Sequence, residues 1–158
     1  MKAIITGSFD PVTIGHEALV KKATRAFDDV LVLLCQNFGK QNLFSAEERL
    51  SLLRETFKDE ERVSVDYHEG WLYEYLKRSP DSVLFKGVRD YKDFEYEKEM
   101  ARFNYEKSGV DTIIVYSDEE FKDVSSTKVR ELLQSGGDWK KLVPQNAQKL
   151  LENFYKNI

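Results

Sequence analysis

Five short apolar segments alternate with longer amphipathic segments along this chain of 158 residues. Strands are predicted where the apolar segments, mostly rich in Val, Ile and Leu, occur: 2–6, 29–35, 63–67, 82–86 and 111–116. Helices are predicted near 16–27, 45–58, 71–78, 92–108 and 125–134, and a last one begins near Pro144. Because the strands are continuously apolar and alternate with helices, the pattern predicts a parallel sheet covered on both faces.

The expected fold is therefore an α/β domain: a single, Rossmann-like, five-stranded parallel sheet with helices on both faces. No repeat, linker or low-complexity tract divides the sequence, which predicts one domain over residues 1–158. Open sheets of this kind bind ligands beyond the carboxyl ends of their strands, where the strand order reverses. The residues that follow each strand are therefore the candidates for function.

The turn after the first predicted strand, from Thr6 to His16, contains Gly, Pro and hydroxyl residues and leads into an amphipathic helix. Such a turn forms an anion site, because free backbone N–H groups and the positive end of the helix dipole converge there. His16, in the first helical turn, adds a side-chain donor. The arrangement is typical of a phosphate-handling α/β enzyme.

Other strand ends carry similar chemistry. Lys40 lies in a polar loop after the second strand, and Lys86-Gly87-Val88-Arg89 follows the fourth, ahead of a helix that carries Glu97. Charges placed directly after a buried strand cost desolvation free energy unless an anion meets them. Ser125-Ser126-Thr127 precedes a further helix. Together these positions predict a phosphate-binding edge.

Each position also has a structural alternative. His16 alone is typical of a surface or capping residue, Ser125 to Thr127 is a common helix N-cap, and Lys40 is typical of a solvated charge. Glu97 has Lys98 and Arg102 as possible partners.

Several residues are interpreted as packing. These are His68, the aromatic residues Trp71, Tyr73 and Tyr75, and Cys35 within its apolar strand. Ser45-Ala46-Glu47-Glu48 has the spacing of a capping box and predicts a helix start.

Composition excludes several classes. The net charge is −4 and no basic run exceeds two residues, which argues against nucleic-acid binding. A single cysteine excludes an intrachain disulfide, and one cysteine with two histidines excludes a zinc site rich in Cys or His. The sequence has neither a P-loop nor a Gly-x-Gly-x-x-Gly turn. No apolar run suits a secretory signal or a membrane span, so a cytoplasmic location is expected.

Thr13-Ile14-Gly15-His16 resembles the Thr-x-Gly-His signature shared by nucleotidyltransferases and class I aminoacyl-tRNA synthetases. The wider pattern, over about residues 2–150, resembles the bacterial phosphopantetheine adenylyltransferase family. The further matching segments are Gly7-Ser8-Phe9-Asp10-Pro11, Lys40, Phe44-x-x-Glu47-Glu48-Arg49, Lys86-Gly87-Val88-Arg89, Asp93-Phe94-Glu95-Tyr96-Glu97 and Val124-Ser125-Ser126-Thr127.

The resemblance implies transfer of AMP from ATP to 4′-phosphopantetheine in coenzyme A biosynthesis, giving dephospho-CoA and pyrophosphate. It implies that His16 stabilises the transition state and that the cations Lys40 and Arg89 assist catalysis. The implied phosphopantetheine contacts are Ser8, Lys40, Leu72 and Lys86. The implied ATP contacts are Ser8, Phe9, His16, Gly87, Val88, Arg89, Glu97, Phe121, Lys122, Asp123, Val124, Ser125, Ser126 and Thr127.

Mg²⁺ is the implied cofactor, held mainly by the ATP phosphates, and no metal-ligating residue is assigned. The implied assembly is a homohexamer, and coenzyme A is the implied feedback inhibitor. Ser8 stands where the family usually has Thr, Lys86 where it usually has Arg, and Ile5-Thr6 replaces a common Tyr-Pro pair. Alternative functions are glycerol-phosphate cytidylyltransferase, nicotinamide mononucleotide adenylyltransferase and a non-catalytic nucleotide sensor.

Overall fold

A computed structural model describes residues 1–36 and 39–158. It contains five strands: β1 (Lys2–Gly7), β2 (Asp29–Gln36), β3 (Val63–Glu69), β4 (Ser82–Val88) and β5 (Thr112–Tyr116). It contains six α-helices: α1 (Ile14–Thr24), α2 (Ala46–Thr56), α3 (Leu72–Lys77), α4 (Tyr91–Ser108), α5 (Ser126–Ser135) and α6 (Gln148–Lys156). Short 3-10 turns lie at Glu119–Phe121, Lys140–Leu142 and Gln145–Ala147.

All five strands form one parallel sheet in the order β3-β2-β1-β4-β5. The chain moves outward from β1 through β2 to β3, and then crosses over β1 to continue through β4 to β5. The strand order therefore reverses between β1 and β4, which is where an open sheet of this kind forms a ligand crevice. The predicted fold class is confirmed.

Alternate residues of the strands face two separate cores. On one face Ala3, Ile5 and Val32 pack with α1, α2, α5 and α6. On the other face Ile4 and Leu84 pack with Leu76 of α3, and α3 packs against α4. Because both faces of the central strands are covered, residues 3–5 of β1 and 30–34 of β2 are buried, which explains the continuous apolar runs there.

The predicted element positions hold, with small differences at the ends. β4 extends to Val88, so Lys86 and Gly87 lie within the strand rather than after it. The predicted capping box at Ser45 is present, since Ser45 Oγ accepts the Glu48 N–H and Glu48 Oε1 accepts the Ser45 N–H. Asn37 and Phe38, part of the polar loop predicted after the second strand, lie outside the described residues.

Within the described ranges, no helix combines the length and apolar character that crossing a membrane requires.

Candidate active site

Two cavities of about 280 Å³ each open on opposite faces of the sheet, beside the carboxyl ends of β1 and β4. The first cavity lies on the α1 and α5 side. Its lining is Thr13, Gly15, His16, Ala18, Leu19, Lys22, Gly87, Arg89, Ser117, Asp118, Phe121, Val124, Ser125 and Ser126. The second cavity lies on the α3 and α4 side. Its lining is Thr6, Gly7, Ser8, Cys35, Gly70, Trp71, Leu72, Leu84, Lys86, Tyr96, Glu97, Met100, Ala101, Phe103, Asn104 and Thr112.

The pleat of β4 explains why the cavities share this edge. Successive strand residues point to opposite faces, so Gly87 lines the first cavity while Lys86 lines the second. A Cβ at Gly87 would lie 2.9 Å from Ser117 Oγ and 3.2 Å from Leu19 Cδ1, so a larger residue would force these two side chains to move. A side chain at this position would also project into the first cavity.

His16 forms part of the cap of α1. Thr13 is the N-cap, and its hydroxyl oxygen accepts the His16 backbone N–H at 3.4 Å. In return, His16 Nδ1 accepts the Thr13 backbone N–H at 2.9 Å. A nitrogen that accepts an N–H carries no proton, so the neutral ring holds its proton on Nε2. The predicted capping and site roles are therefore compatible, because the cap fixes the tautomer and leaves Nε2–H as the donor.

The environment of His16 keeps the imidazole neutral. Burial and, second, the positive charge of Lys86 lower the pKa of His16 from 6.5 to about 4. The Phe9 ring packs edge-on against the imidazole with ring centroids 4.8 Å apart. Phe9 is buried and has φ 42°, a left-handed conformation that is uncommon for an aromatic residue. His16 is therefore neutral near pH 7, with its proton on Nε2.

The turn between β1 and α1 is held by Asp10 and Arg49, both almost fully buried. The Asp10 carboxylate accepts the backbone N–H groups of Leu43 and Phe44 at 2.9 and 3.0 Å. Arg49 donates to the Ser8 carbonyl at 2.9 Å and to the Phe44 carbonyl at 3.1 Å. These contacts fix the backbone that carries Ser8 and Phe9.

A second arginine joins the same turn to α5. Arg130 donates to the Asp10 carbonyl at 2.7 Å and to Thr127 Oγ1 at 3.1 Å. Ser126 Oγ donates to the Pro11 carbonyl at 2.7 Å. The N-termini of α1 and α5 are thereby held at the rim of the first cavity, where their free N–H groups and dipoles favour an anion.

Lys86 lies at the boundary of the second cavity. Its ammonium donates to Thr6 Oγ1 at 3.1 Å and lies 3.7 Å from Glu97 Oε1. Neither Lys98 nor Arg102 is the partner of Glu97; Arg102 instead pairs with Glu106. An internal carboxylate therefore already meets the charge of Lys86, although the sequence argument expected an external anion.

The two other predicted cations occupy different parts of the edge. Lys40 is exposed, and its ammonium lies 3.3 Å from Ser8 Oγ, which places it at the mouth of the second cavity. Arg89 lines the first cavity, pairs with Asp93 at 2.9 Å and donates to the Lys122 carbonyl at 3.3 Å. The three predicted cations therefore lie at the same edge of the sheet, Lys40 and Lys86 beside the end of β1 and Arg89 after β4.

The structure divides the predicted ATP contacts. Seven of them line the first cavity: His16, Gly87, Arg89, Phe121, Val124, Ser125 and Ser126. Four lie outside its lining: Val88, Lys122, Asp123 and Thr127. Ser8 and Glu97 line the second cavity instead, and the side chain of Phe9 is buried. Among the predicted phosphopantetheine contacts, Ser8, Leu72 and Lys86 line the second cavity together.

The residues interpreted as packing behave in three ways. His68 is buried, with Nε2 2.8 Å from the Trp71 carbonyl oxygen and its ring against Tyr75, as expected. Trp71 is 63% exposed and lines the second cavity, so packing alone does not describe it. Cys35 is half-buried and also lines that cavity, and burial raises the pKa of its thiol to about 11.

Four contributors were given no site role from the sequence: Thr6, Lys22, Arg49 and Arg130. Of these, Thr6 and Arg49 appeared in the comparison with the family's sequence pattern. Lys22 donates to the Tyr116 carbonyl and to Asp118, both at 2.8 Å, and joins α1 to the loop after β5. The sequence offered one sign of the role of Arg49: an arginine within the apolar stripe of α2 is expected to be buried and therefore to need buried hydrogen-bond acceptors. The others depend on contacts between residues far apart in the chain.

A family model described as Cytidylyltransferase-like matches residues 4–132, so the chain is a nucleotidyltransferase of this class. Relatives called phosphopantetheine adenylyltransferase match nearly the whole chain. The protein of Thermotoga neapolitana is 42% identical over 98% of this chain and 97% of its own. Those of Caldanaerobacter subterraneus subsp. tengcongensis and Dictyoglomus turgidum are 41% and 40% identical, over 98% of both chains. The chain belongs to the phosphopantetheine adenylyltransferase family.

Proposed function

We propose that this enzyme transfers AMP from ATP to 4′-phosphopantetheine, giving dephospho-CoA and pyrophosphate. The observation that carries the proposal is the pair of cavities on opposite faces of the sheet, adjoining at the ends of β1 and β4. In-line displacement needs the attacking and leaving groups on opposite sides of the α-phosphorus. A nucleotide entering from the α1 and α5 side would meet an acceptor phosphate from the α3 and α4 side.

The acceptor supplies its own nucleophile. A phosphate monoester has a second pKa near ~6, so it is largely dianionic at neutral pH and needs no general base. One of its oxygens forms a bond to the α-phosphorus while the bond to the bridging oxygen of the β-phosphate breaks. Pyrophosphate leaves with that electron pair. The protein therefore contributes positioning and electrostatic stabilisation.

His16 is assigned to the α-phosphate. Its Nε2–H is a donor of fixed tautomer because Nδ1 already accepts the Thr13 N–H. A neutral donor also costs less to bury than an imidazolium beside Lys86. Lys40 and Arg89 are assigned to the charge that develops on the transferring group, since each lies beside one of the cavities.

The remaining assignments follow the family resemblance, and the linings of the two cavities support part of them. We assign Ser8, Lys40, Leu72 and Lys86 to phosphopantetheine. We assign His16, Gly87, Val88, Arg89, Glu97 and the loop Phe121–Thr127 to ATP, with backbone contacts from Ser8 and Phe9. The N-terminus of α5 would receive the β- and γ-phosphates, because Ser125 and Ser126 line the first cavity there. Of the ATP assignments, Glu97 has the least structural support, because it lines the second cavity, which is assigned to phosphopantetheine.

Mg²⁺ is the proposed cofactor. The polar side chains that line the first cavity are mainly hydroxyl and cationic groups, with Asp118 as a carboxylate, and among the described residues no group of three acidic, His or Cys side chains gathers around one point. This donor set fits an ion carried mainly by the nucleotide phosphates and water. When bound, Mg²⁺ would neutralise charge on the departing pyrophosphate.

We extend the proposal to assembly, regulation and location. A homohexamer is expected from the family resemblance, and large exposed aromatic residues such as Tyr91, Tyr96 and Tyr116 offer contact area. Light scattering after gel filtration tests it, with six times the chain mass as the expected result. Coenzyme A, which carries both a pantetheine arm and an adenine, is the proposed inhibitor. A cytoplasmic location suits this biosynthetic role.

Pyrophosphate release from ATP and Mg²⁺, measured with and without 4′-phosphopantetheine, tests the reaction. Glycerol 3-phosphate with CTP, and nicotinamide mononucleotide with ATP, serve as parallel acceptors. Release that requires phosphopantetheine is the expected result. Turnover with either other acceptor in its place would contradict the substrate assignment, and ATP binding without turnover would favour a nucleotide sensor.

A further inference from the structure

We propose that Thr6 is a positioning residue, whose hydroxyl holds the Lys86 ammonium free for an acceptor phosphate and prevents its collapse onto Glu97. The identity of that phosphate rests on the proposed function. The position of the ammonium rests on contacts between the two central strands.

The sheet brings Thr6 and Lys86 together. β1 and β4 are parallel neighbours in which Ile4 pairs with Leu84. Two residues further along each strand, Thr6 and Lys86 lie side by side and line the second cavity. Their side chains meet at 3.1 Å between Nζ and Oγ1, and the ammonium donates because it has no lone pair to accept with.

Glu97 competes for the same ammonium. Its Oε1 lies 3.7 Å from Nζ, which is an ion-pair distance but longer than a hydrogen bond. The two side chains are only 23% and 16% exposed, so their attraction is screened less than it would be on the open surface. Without the Thr6 hydroxyl, the ammonium is expected to close onto the carboxylate.

A lysine needs this support more than an arginine would. The ammonium is a point charge with three donors on a flexible stem, whereas a guanidinium presents a planar fork of fixed geometry. One donor meets Thr6 and a second faces Glu97, which leaves a third for a phosphate oxygen. Without the Thr6 contact, the Glu97 carboxylate would therefore offset the positive charge of Lys86, and phosphate binding would be weaker.

The kinetic test compares Thr6→Val, which keeps the shape but removes the acceptor, with Thr6→Ser, which keeps the hydroxyl. We expect Thr6→Val to raise KM for 4′-phosphopantetheine about tenfold, as for loss of a hydrogen bond to a charged group, and to leave KM for ATP within about twofold. Thr6→Ser should restore most of the loss. In a Lys86→Met background, Thr6→Val should add no further change.

A second readout does not depend on the reaction. In ¹⁵N-labelled protein at low temperature, the Nζ signal of a held ammonium exchanges slowly with water and becomes observable, and Lys86→Met assigns it. We expect this signal in the wild type, in Thr6→Ser and, because Thr6 still holds the ammonium, in Glu97→Gln. In Thr6→Val the ammonium pairs with Glu97, so the signal should move, and it should be lost in the double variant Thr6→Val/Glu97→Gln. Thermal unfolding of each variant shows that the fold is retained.

The outcomes separate the two proposals. A wild-type enzyme that does not turn over phosphopantetheine contradicts the proposed function, while the Nζ signals still decide the role of Thr6. A signal that does not move in Thr6→Val, or one that is lost in Glu97→Gln alone, overturns the inference. So does an unchanged KM for phosphopantetheine in Thr6→Val, or a Thr6→Ser enzyme as impaired as Thr6→Val.

Discussion

Acidification should destabilise the folded protein through His16. The hydrogen bond from the Thr13 backbone N–H to His16 Nδ1, at 2.9 Å, requires that Nδ1 carry no proton. Burial together with the charge of Lys86 lowers the pKa of His16 to about 4. In the unfolded chain the pKa of this imidazole returns to about 6.5. Between these two values the unfolded chain binds more protons at His16 than the folded protein does.

The sign and size of the effect follow from this difference. The contribution of a neutral His16 is fully present above pH 6.5, declines as the pH falls towards 4, and is lost below that. A full shift of this kind corresponds to about 3 kcal/mol, of which about 2 kcal/mol falls between pH 7 and pH 4.5. The free energy of unfolding should fall by that amount because of His16 alone.

Urea unfolding of the wild type and His16→Gln, at one protein concentration and at several pH values from 4.5 to 7.5, isolates this contribution. Glutamine does not titrate, yet its side-chain oxygen can accept the Thr13 N–H as in a capping box. Subtracting the two curves removes the carboxylates common to both proteins. Wild type should lose about 2 kcal/mol relative to the variant on acidification. Two parallel curves would refute a His16 that stays neutral in the folded protein.

Three further predictions concern the site. His16→Ala should lower kcat by about 10²-fold and change ATP affinity less, because it removes a donor to the transition state. Steady-state kinetics measure this, and a change confined to KM would show that His16 is a binding residue instead. Lys86→Arg should lower KM for phosphopantetheine or leave it unchanged, and a clear rise would mean that the site is built around lysine. Arg49→Met should lower the free energy of unfolding by about 2–4 kcal/mol, because the Ser8 and Phe44 carbonyls lose their donor. Urea unfolding measures this, and full rescue by Arg49→Lys would contradict the need for a forked donor.

Local patterns in the sequence were sufficient for the fold class. Short apolar strands and amphipathic helices give periodicities that are visible within a window of about ten residues. The Ser45 capping box is similarly local, since its two partners lie three residues apart. The family motifs at the strand ends were also visible in the sequence, although the roles assigned to their residues remain predictions.

The sequence was less informative about which cavity each side chain faces. Glu97 was assigned with ATP, yet α4 places it in the second cavity beside Lys86. Cys35 and Trp71 were interpreted as packing, yet both line that cavity. One residue of register decides which face of a strand a side chain occupies, and the orientation of a helix on the sheet decides the rest.

The sequence by itself determined the elements, their order and the residues that could handle phosphate. The tertiary structure decided the strand order, with β1 between β2 and β4, and so brought Thr6 to Lys86 across 80 positions of the chain. It also decided the tautomer of His16, through the cap of α1 and the burial that keeps the ring neutral. The physical reason is that element formation depends on neighbours in sequence, whereas desolvation, ion pairing and protonation depend on neighbours in space.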